Sequence, residues 1–289
     1  MTAEEPADPF PHIRDFTVPL GGPETGNRAF FGRDVLNGLI DGITDYSEQR
    51  QSRWRRRSWR VSGPVLLGCS PWVSDDKLIH AISELPSACV VLSKPRADRR
   101  ATDRLHDANA QTRGIELRAL SGLANVAPKE NGRARIIGPY DRMPAEDISL
   151  PTFRGIGRRK SGREQPPHAH AKLALLGNIC WTDEDPIGGV TDYIWFQPER
   201  LWISSANFTY ASRRSLEFGY WTEDSDLIRG VHMFLTDLIG NSEDIDAPDH
   251  ADPELVAVEY DDAAMAEAYR EHMDALAEME AIYGDEDDE

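Results

Sequence analysis

The stretch His170-Ala171-Lys172-Leu173-Ala174-Leu175-Leu176 decides how this chain is read. An apolar run headed by H-x-K predicts a strand with His170 and Lys172 on one face, because strand side chains repeat every second residue. Downstream, Leu201-Trp202-Ile203-Ser204-Ser205 predicts a second strand ending in a small-residue turn that delivers Asn207. A third, Leu216 to Thr222, brings Glu217 to the same neighbourhood. The set holds a nucleophile or acid (His170), a fixed cation (Lys172), an amide donor (Asn207) and a carboxylate able to orient an imidazole (Glu217). Those groups suffice to hold and split a phosphodiester without a metal.

The arrangement resembles the H-x-K, G-S-x-N, E signature of the phospholipase D superfamily. His170 and Lys172 match its H and K, and Asn207 its N. Ser204 stands where a Gly is usual, Ser205 where a Ser is usual, and Glu217 matches the downstream acid. The family's Asp, five residues after the Lys, falls on Gly177. H-x-K alone is weak; its specificity comes from the apolar strand, the S-S-x-N-F-T turn and the following acid. His168, two residues upstream, is the competing histidine, but Pro166-Pro167 before it reads as loop. The resemblance implies an α/β fold, a phospholipase D-like mixed sheet layered with helices on both faces. It also implies that His170 forms a phosphohistidine while Glu217 holds the far ring nitrogen, and that a second histidine protonates the leaving oxygen. The superfamily builds one site from two H-x-K motifs, and only one is present here. The economical solution is a homodimer whose two-fold axis passes through the site.

Composition sets the remaining bounds. Cys69, Cys89 and Cys180 have no metal-ligand spacing, so no metal and no cofactor are expected. The few cysteines and an acidic N-terminus without an apolar core suggest a cytoplasmic setting, and no apolar run suits a membrane span. The net charge is −18, and residues 241–289 alone, with 19 acids and one base, account for all of it. The remainder of the chain is neutral and compatible with a polyanionic substrate. Arginines cluster with tryptophans over residues 50–60, again over 96–104, and as Arg154, Arg158, Arg159, Lys160 and Arg163 before the H-x-K strand. The last group is the candidate substrate-binding set.

Along the chain, residues 1–59 read as an N-terminal extension with a helix from Arg33 to Gln49. Residues 60–240 read as the catalytic domain, 241–260 as an acidic linker, and 261–289 as a C-terminal helix with an acidic tail. Within the domain, strands at Pro64–Cys69, Ala88–Leu92 and Gly114–Arg118 alternate with helices capped at Ser74-Asp75 and spanning Asp98–Thr112. Ser225–Leu238 forms another helix. The C-terminal helix carries Met265, Tyr269, Met273, Leu276 and Met279 on one stripe, for docking on its own domain or on a further protein partner.

The expectation is a metal-independent phosphodiesterase acting on nucleic acid, DNA ahead of RNA, hence an endonuclease. The alternatives are a phospholipid phosphodiesterase or phosphatidyltransferase, and a non-catalytic nucleic-acid-binding scaffold. A further expectation is that the acidic segment 241–289 competes with phosphates for the basic surface, so that its deletion raises activity.

Overall fold

A computed structural model of the chain describes residues 14–21, 27–53, 60–94, 99–141, 145, 148–157, 169–182, 193–247 and 252–283. The elements are β1 (Phe16–Pro19), β2 (Arg28–Gly32), α1 (Val35–Arg53), β3 (Arg60–Ser70), α2 (Asp76–Ser83), β4 (Ser87–Ser93), α3 (Arg99–Gln111) and β5 (Ile115–Glu116). There follow β6 (Val126–Pro128), β7 (Ile136–Ile137), β8 (Ser149–Leu150), β9 (Phe153–Ile156), β10 (Leu173–Thr182) and β11 (Tyr193–Ser204). The last are β12 (Glu217–Thr222), α4 (Ser225–Gly240), β13 (Leu255–Ala257), β14 (Glu259–Tyr260) and α5 (Asp262–Tyr283).

Eight strands form one mixed sheet in the order β1-β2-β12-β11-β10-β3-β4-β9. The pairs from β1 to β3 are antiparallel, whereas β3-β4 and β4-β9 are parallel. The central strands read as continuous apolar runs because both faces are covered. Leu66, Val90, Leu92, Ala174, Leu176 and Trp202 point into a core completed by α1, α2 and α3. Their neighbours Val65, Leu67, Val91, Leu175 and Leu201 point the other way, onto Ile228, Leu235 and Ile239 of α4. The fold is therefore α/β, with helices on both faces of a mixed sheet, as the sequence implied. Each fully buried Leu or Ile of this kind contributes about 1.5–3 kcal/mol.

Two domain boundaries differ from expectation. The N-terminal region is no extension: β2 pairs with β12, and Val35, Leu36, Leu39 and Ile43 of α1 lie in the core. The described residues within 241–260 form no linker either. Glu243 and Gly155 exchange backbone hydrogen bonds of 2.8 Å each way, Ile245 is fully buried, β13 pairs with β6 and β14 with β7. The charge density of this segment masked its alternating apolar residues. The expected strand at 114–118 shortens to β5, after which Leu117–Ala119 forms a 3-10 turn. α5 forms as expected, but Tyr269, Met273, Leu276 and Met279 are 40–65% exposed.

Candidate active site

The site lies at one end of the sheet because β10 and β12 begin there and the antiparallel β11 and β3 end there. His170 and Lys172 precede β10 rather than lying in it; the ladder starts with Leu173 opposite Ile203 and Cys69. The extended pair is held to the sheet by the Ser204 N–H, which donates to the Lys172 carbonyl at 3.1 Å. The Lys172 ammonium lies 3.2 Å from His170 Nδ1 and donates to the His170 carbonyl at 2.8 Å. Burial lowers the Lys172 pKa from its ordinary value, opposed by the negative charge of Glu217.

The chain then turns after β11. Ser204 Oγ donates to the Ala206 carbonyl at 3.1 Å, closing the tight turn that presents Asn207. Ser205 Oγ donates to Glu217 Oε2 at 2.5 Å, and the Ser205 and Phe218 backbones are joined at 2.9 Å. Glu217 thus faces the site from the first residue of β12. Its hydrogen bond goes to Ser205, not to His170, where the sequence reading had placed it. A charged ammonium only donates, so Lys172 makes His170 Nδ1 an acceptor and puts the proton of the neutral ring on Nε2. Asn207 Oδ1 is buried without a hydrogen-bond partner among the described residues, so this oxygen is open to a donor.

Asn207 is fixed by contacts that the sequence gave no sign of. The Ser70 hydroxyl accepts from the Phe208 N–H at 3.1 Å and donates to the Trp72 carbonyl at 3.0 Å. The Phe208 carbonyl accepts from the Ser74 N–H at 2.8 Å. Arg213 closes the same turn, forking onto Asp75 and reaching Asn37. Burial alone would raise the Asp75 pKa, but Arg213 holds it below the ordinary value. Asp75 also caps α2 through the Leu78 N–H, as expected. The Asp75–Arg213 pairing was illegible because the partners lie 138 residues apart.

Next to this constellation is a pocket of about 400 Å³ that both Asn207 and Glu217 line. Trp72, Leu92 and Leu105 supply apolar wall, and Thr209, Ser212 and Ser215 supply hydroxyls. Thr209 stood in the S-S-x-N-F-T turn and Leu92 in an expected strand, but none was expected to line a pocket.

Gly177 has a steric explanation. A Cβ there would stand 2.3 Å from the Gln197 carbonyl oxygen and 2.5 Å from the Phe196 ring, at a break in the β10–β11 register. No aspartate fits this position in this sheet.

The candidate substrate-binding arginines divide. Arg154 is 1% exposed and donates to Ser242 and Glu254, so its place is structural and the expectation of substrate contact is corrected. Arg158, Arg159, Lys160 and Arg163 lie outside the described residues, as does His168. In the 96–104 cluster, Arg104 pairs with Asp76 at 2.6 Å. Arg60 stacks over Trp181 at 4.7 Å and Arg214 over Tyr210 at 5.3 Å. Cys69 and Cys89 are buried thiols, each pushed up by desolvation to about 12, which leaves neither a thiolate at neutral pH. Among the described residues, no three metal-ligating side chains cluster and no helix is long and apolar enough to cross a membrane.

No family model and no curated protein matches the chain. Among the solved structures similar to it are two nucleases. One is Nuc from Salmonella typhimurium, a phospholipase D family member, at 9% identity and a TM-score of 0.41, covering 76% of this chain and 98% of that one. The other is NucT from Helicobacter pylori, at 13% identity and a TM-score of 0.38, with the same shares covered. At such identities and scores no residue's role carries over, and the site is argued from its own geometry.

Proposed function

We propose that this chain is a metal-independent phosphodiesterase of the phospholipase D type that cleaves nucleic acid, with His170, Lys172, Ser205, Asn207 and Glu217 as its catalytic set. The observation that carries the reading is their meeting at one end of three adjacent strands, beside an open pocket. His170 attacks phosphorus, forming a P–N bond as the P–O bond to the leaving group breaks. Lys172 and Asn207 bind the non-bridging oxygens. The leaving oxygen takes a proton from a second imidazole, which then accepts one from the water that breaks the P–N bond. One ring cannot be nucleophile and acid in the same step, so a second copy of the chain supplies its own His170. The ring that serves as the acid is an imidazolium, which carries a proton on each nitrogen and so turns its Nδ1–H from Lys172 to an acceptor such as Glu217. In the other ring, transfer of Nδ1 from Lys172 to Glu217 would free Nε2 to attack.

A nucleic-acid substrate is supported by the neutral body of the chain and by the Arg60–Trp181 and Arg214–Tyr210 pairs. A phospholipid substrate is disfavoured by α5, whose apolar stripe is flanked by acids that an anionic membrane surface would repel. The buried thiols suit a reducing, cytoplasmic setting. The test is incubation with labelled DNA and RNA in excess chelator, alongside the solution mass. Cleavage by a dimer, lost in His170→Ala, is expected. Binding without turnover, unchanged in His170→Ala, would instead fit a scaffold.

A further inference from the structure

We infer that the pocket beside Asn207 and Glu217 is a nucleobase subsite, seating the base next to the scissile phosphate, with Trp72 as its stacking face. The inference rests on the nuclease reading above and adds which part of the substrate that region recognises.

The pocket's chemistry selects the occupant. Among its described lining residues there is no Lys or Arg and the one formal charge is Glu217, so away from the Asn207 edge the described lining offers a phosphate no cation. Its volume of about 400 Å³ is small for a ligand site and suits a single planar group with its sugar. Leu92 and Leu105 form apolar wall, while Thr209, Ser212 and Ser215 offer hydroxyls that both donate and accept. Thr209 and Ser212 share a hydrogen bond of 3.3 Å and Ser215 donates to the Ala211 carbonyl at 3.4 Å, and each hydroxyl oxygen keeps a lone pair that a donor on a base edge can use and an acyl chain cannot. Trp72 is 53% exposed, although its backbone is tied down through Ser70 to the turn that carries Asn207. A half-exposed indole on a fixed backbone is a preformed stacking surface, and base stacking tolerates any sequence. The Asn207 turn joins the pocket to the catalytic set: Asn207 belongs to both, and Thr209 and Ser212, which follow it, line the pocket.

The test uses the full chain and short single-stranded oligodeoxynucleotides in chelator, either fully based or abasic throughout. Wild type should cut the based strand about tenfold faster in kcat/KM than the abasic one. Trp72→Ala should lose about tenfold on the based strand only, erasing the preference, and Trp72→Phe should keep most of it. An unchanged melting temperature is expected in both variants, since the indole is half exposed. Equal losses on based and abasic strands, or a preference that survives Trp72→Ala, overturns the subsite and leaves the nuclease reading standing. So does a Trp72 dependence seen only on phosphatidylcholine vesicles. A wild-type enzyme that cuts no oligonucleotide overturns the nuclease reading and the subsite with it.

Discussion

Glu243→Ala should be among the most damaging single substitutions outside the site. Lys94 at the end of β4 and Glu243 after α4 form a 2.6 Å ion pair with side chains 0% and 3% exposed. Glu243 also accepts from the Asp252 N–H at 2.8 Å and pairs its backbone with Gly155. At 2.6 Å the attraction is roughly 6 kcal/mol for an effective dielectric near 20, set against a desolvation cost of several kcal/mol per ion. The pair is therefore near break-even as a whole. Breaking it leaves the Lys94 ammonium buried without its carboxylate, at a cost of about 3–5 kcal/mol. For a chain of this size that lowers the melting temperature by roughly 10 °C. The double variant Lys94→Met/Glu243→Leu should recover most of the loss. Urea and thermal melts of the wild type, Lys94→Met, Glu243→Leu and the double variant form a complete cycle, with Glu243→Ala measured beside it. A loss below about 1 kcal/mol in Glu243→Ala, or additive losses in the double variant, would refute the reasoning.

Three further outcomes follow from the same structure. Gly177→Asp, which installs the residue the family pattern expects, should destabilise by about 3 kcal/mol or more and raise no activity, because its Cβ meets the Gln197 carbonyl; a stable, more active variant would contradict this. His232 packs edge-on to Phe196, and burial lowers its pKa. The unfolded chain therefore binds more protons in the window just below the ordinary histidine pKa. Stability is complete above that value and is lost as pH falls toward the folded pKa. Urea midpoints should fall between about pH 7 and pH 5, and His232→Phe should flatten part of that fall. Deletion from Asp262 onward should leave the fold intact, whereas deletion from Asn241 should abolish cooperative unfolding, because Ser242, Glu243, Ile245 and Leu255 are buried in the body. The reverse pattern would restore the linker reading.

Local pattern made much of this molecule legible. The buried runs of β3, β4 and β10, the Asp75 cap of α2 and the spacing of α4 follow from period and capping alone. So does the gathering of His170, Asn207 and Glu217, since antiparallel neighbours bring one strand's start beside another's end. What escaped was set by long-range pairing. β2 read as part of an extension because its partner, β12, lies nearly two hundred residues on. Arg154 read as a substrate contact because its carboxylate, Glu254, lies 100 residues away in a segment that charge had marked as linker. The bond from Glu217 to Ser205 likewise depends on side-chain geometry that spacing does not encode. The register break that excludes a side chain at Gly177 is equally invisible in one strand's sequence.

The proposed chemistry requires that His170 become covalently bonded to phosphorus during turnover. Rapid acid-free quenching of the protein with a phosphorus-labelled oligonucleotide in chelator, followed by peptide mapping, measures it directly. An acid-labile, alkali-stable label on the peptide containing His170, absent from His170→Ala, is predicted. Efficient cleavage with no labelled protein at any time, or a label that persists in His170→Ala, would contradict it.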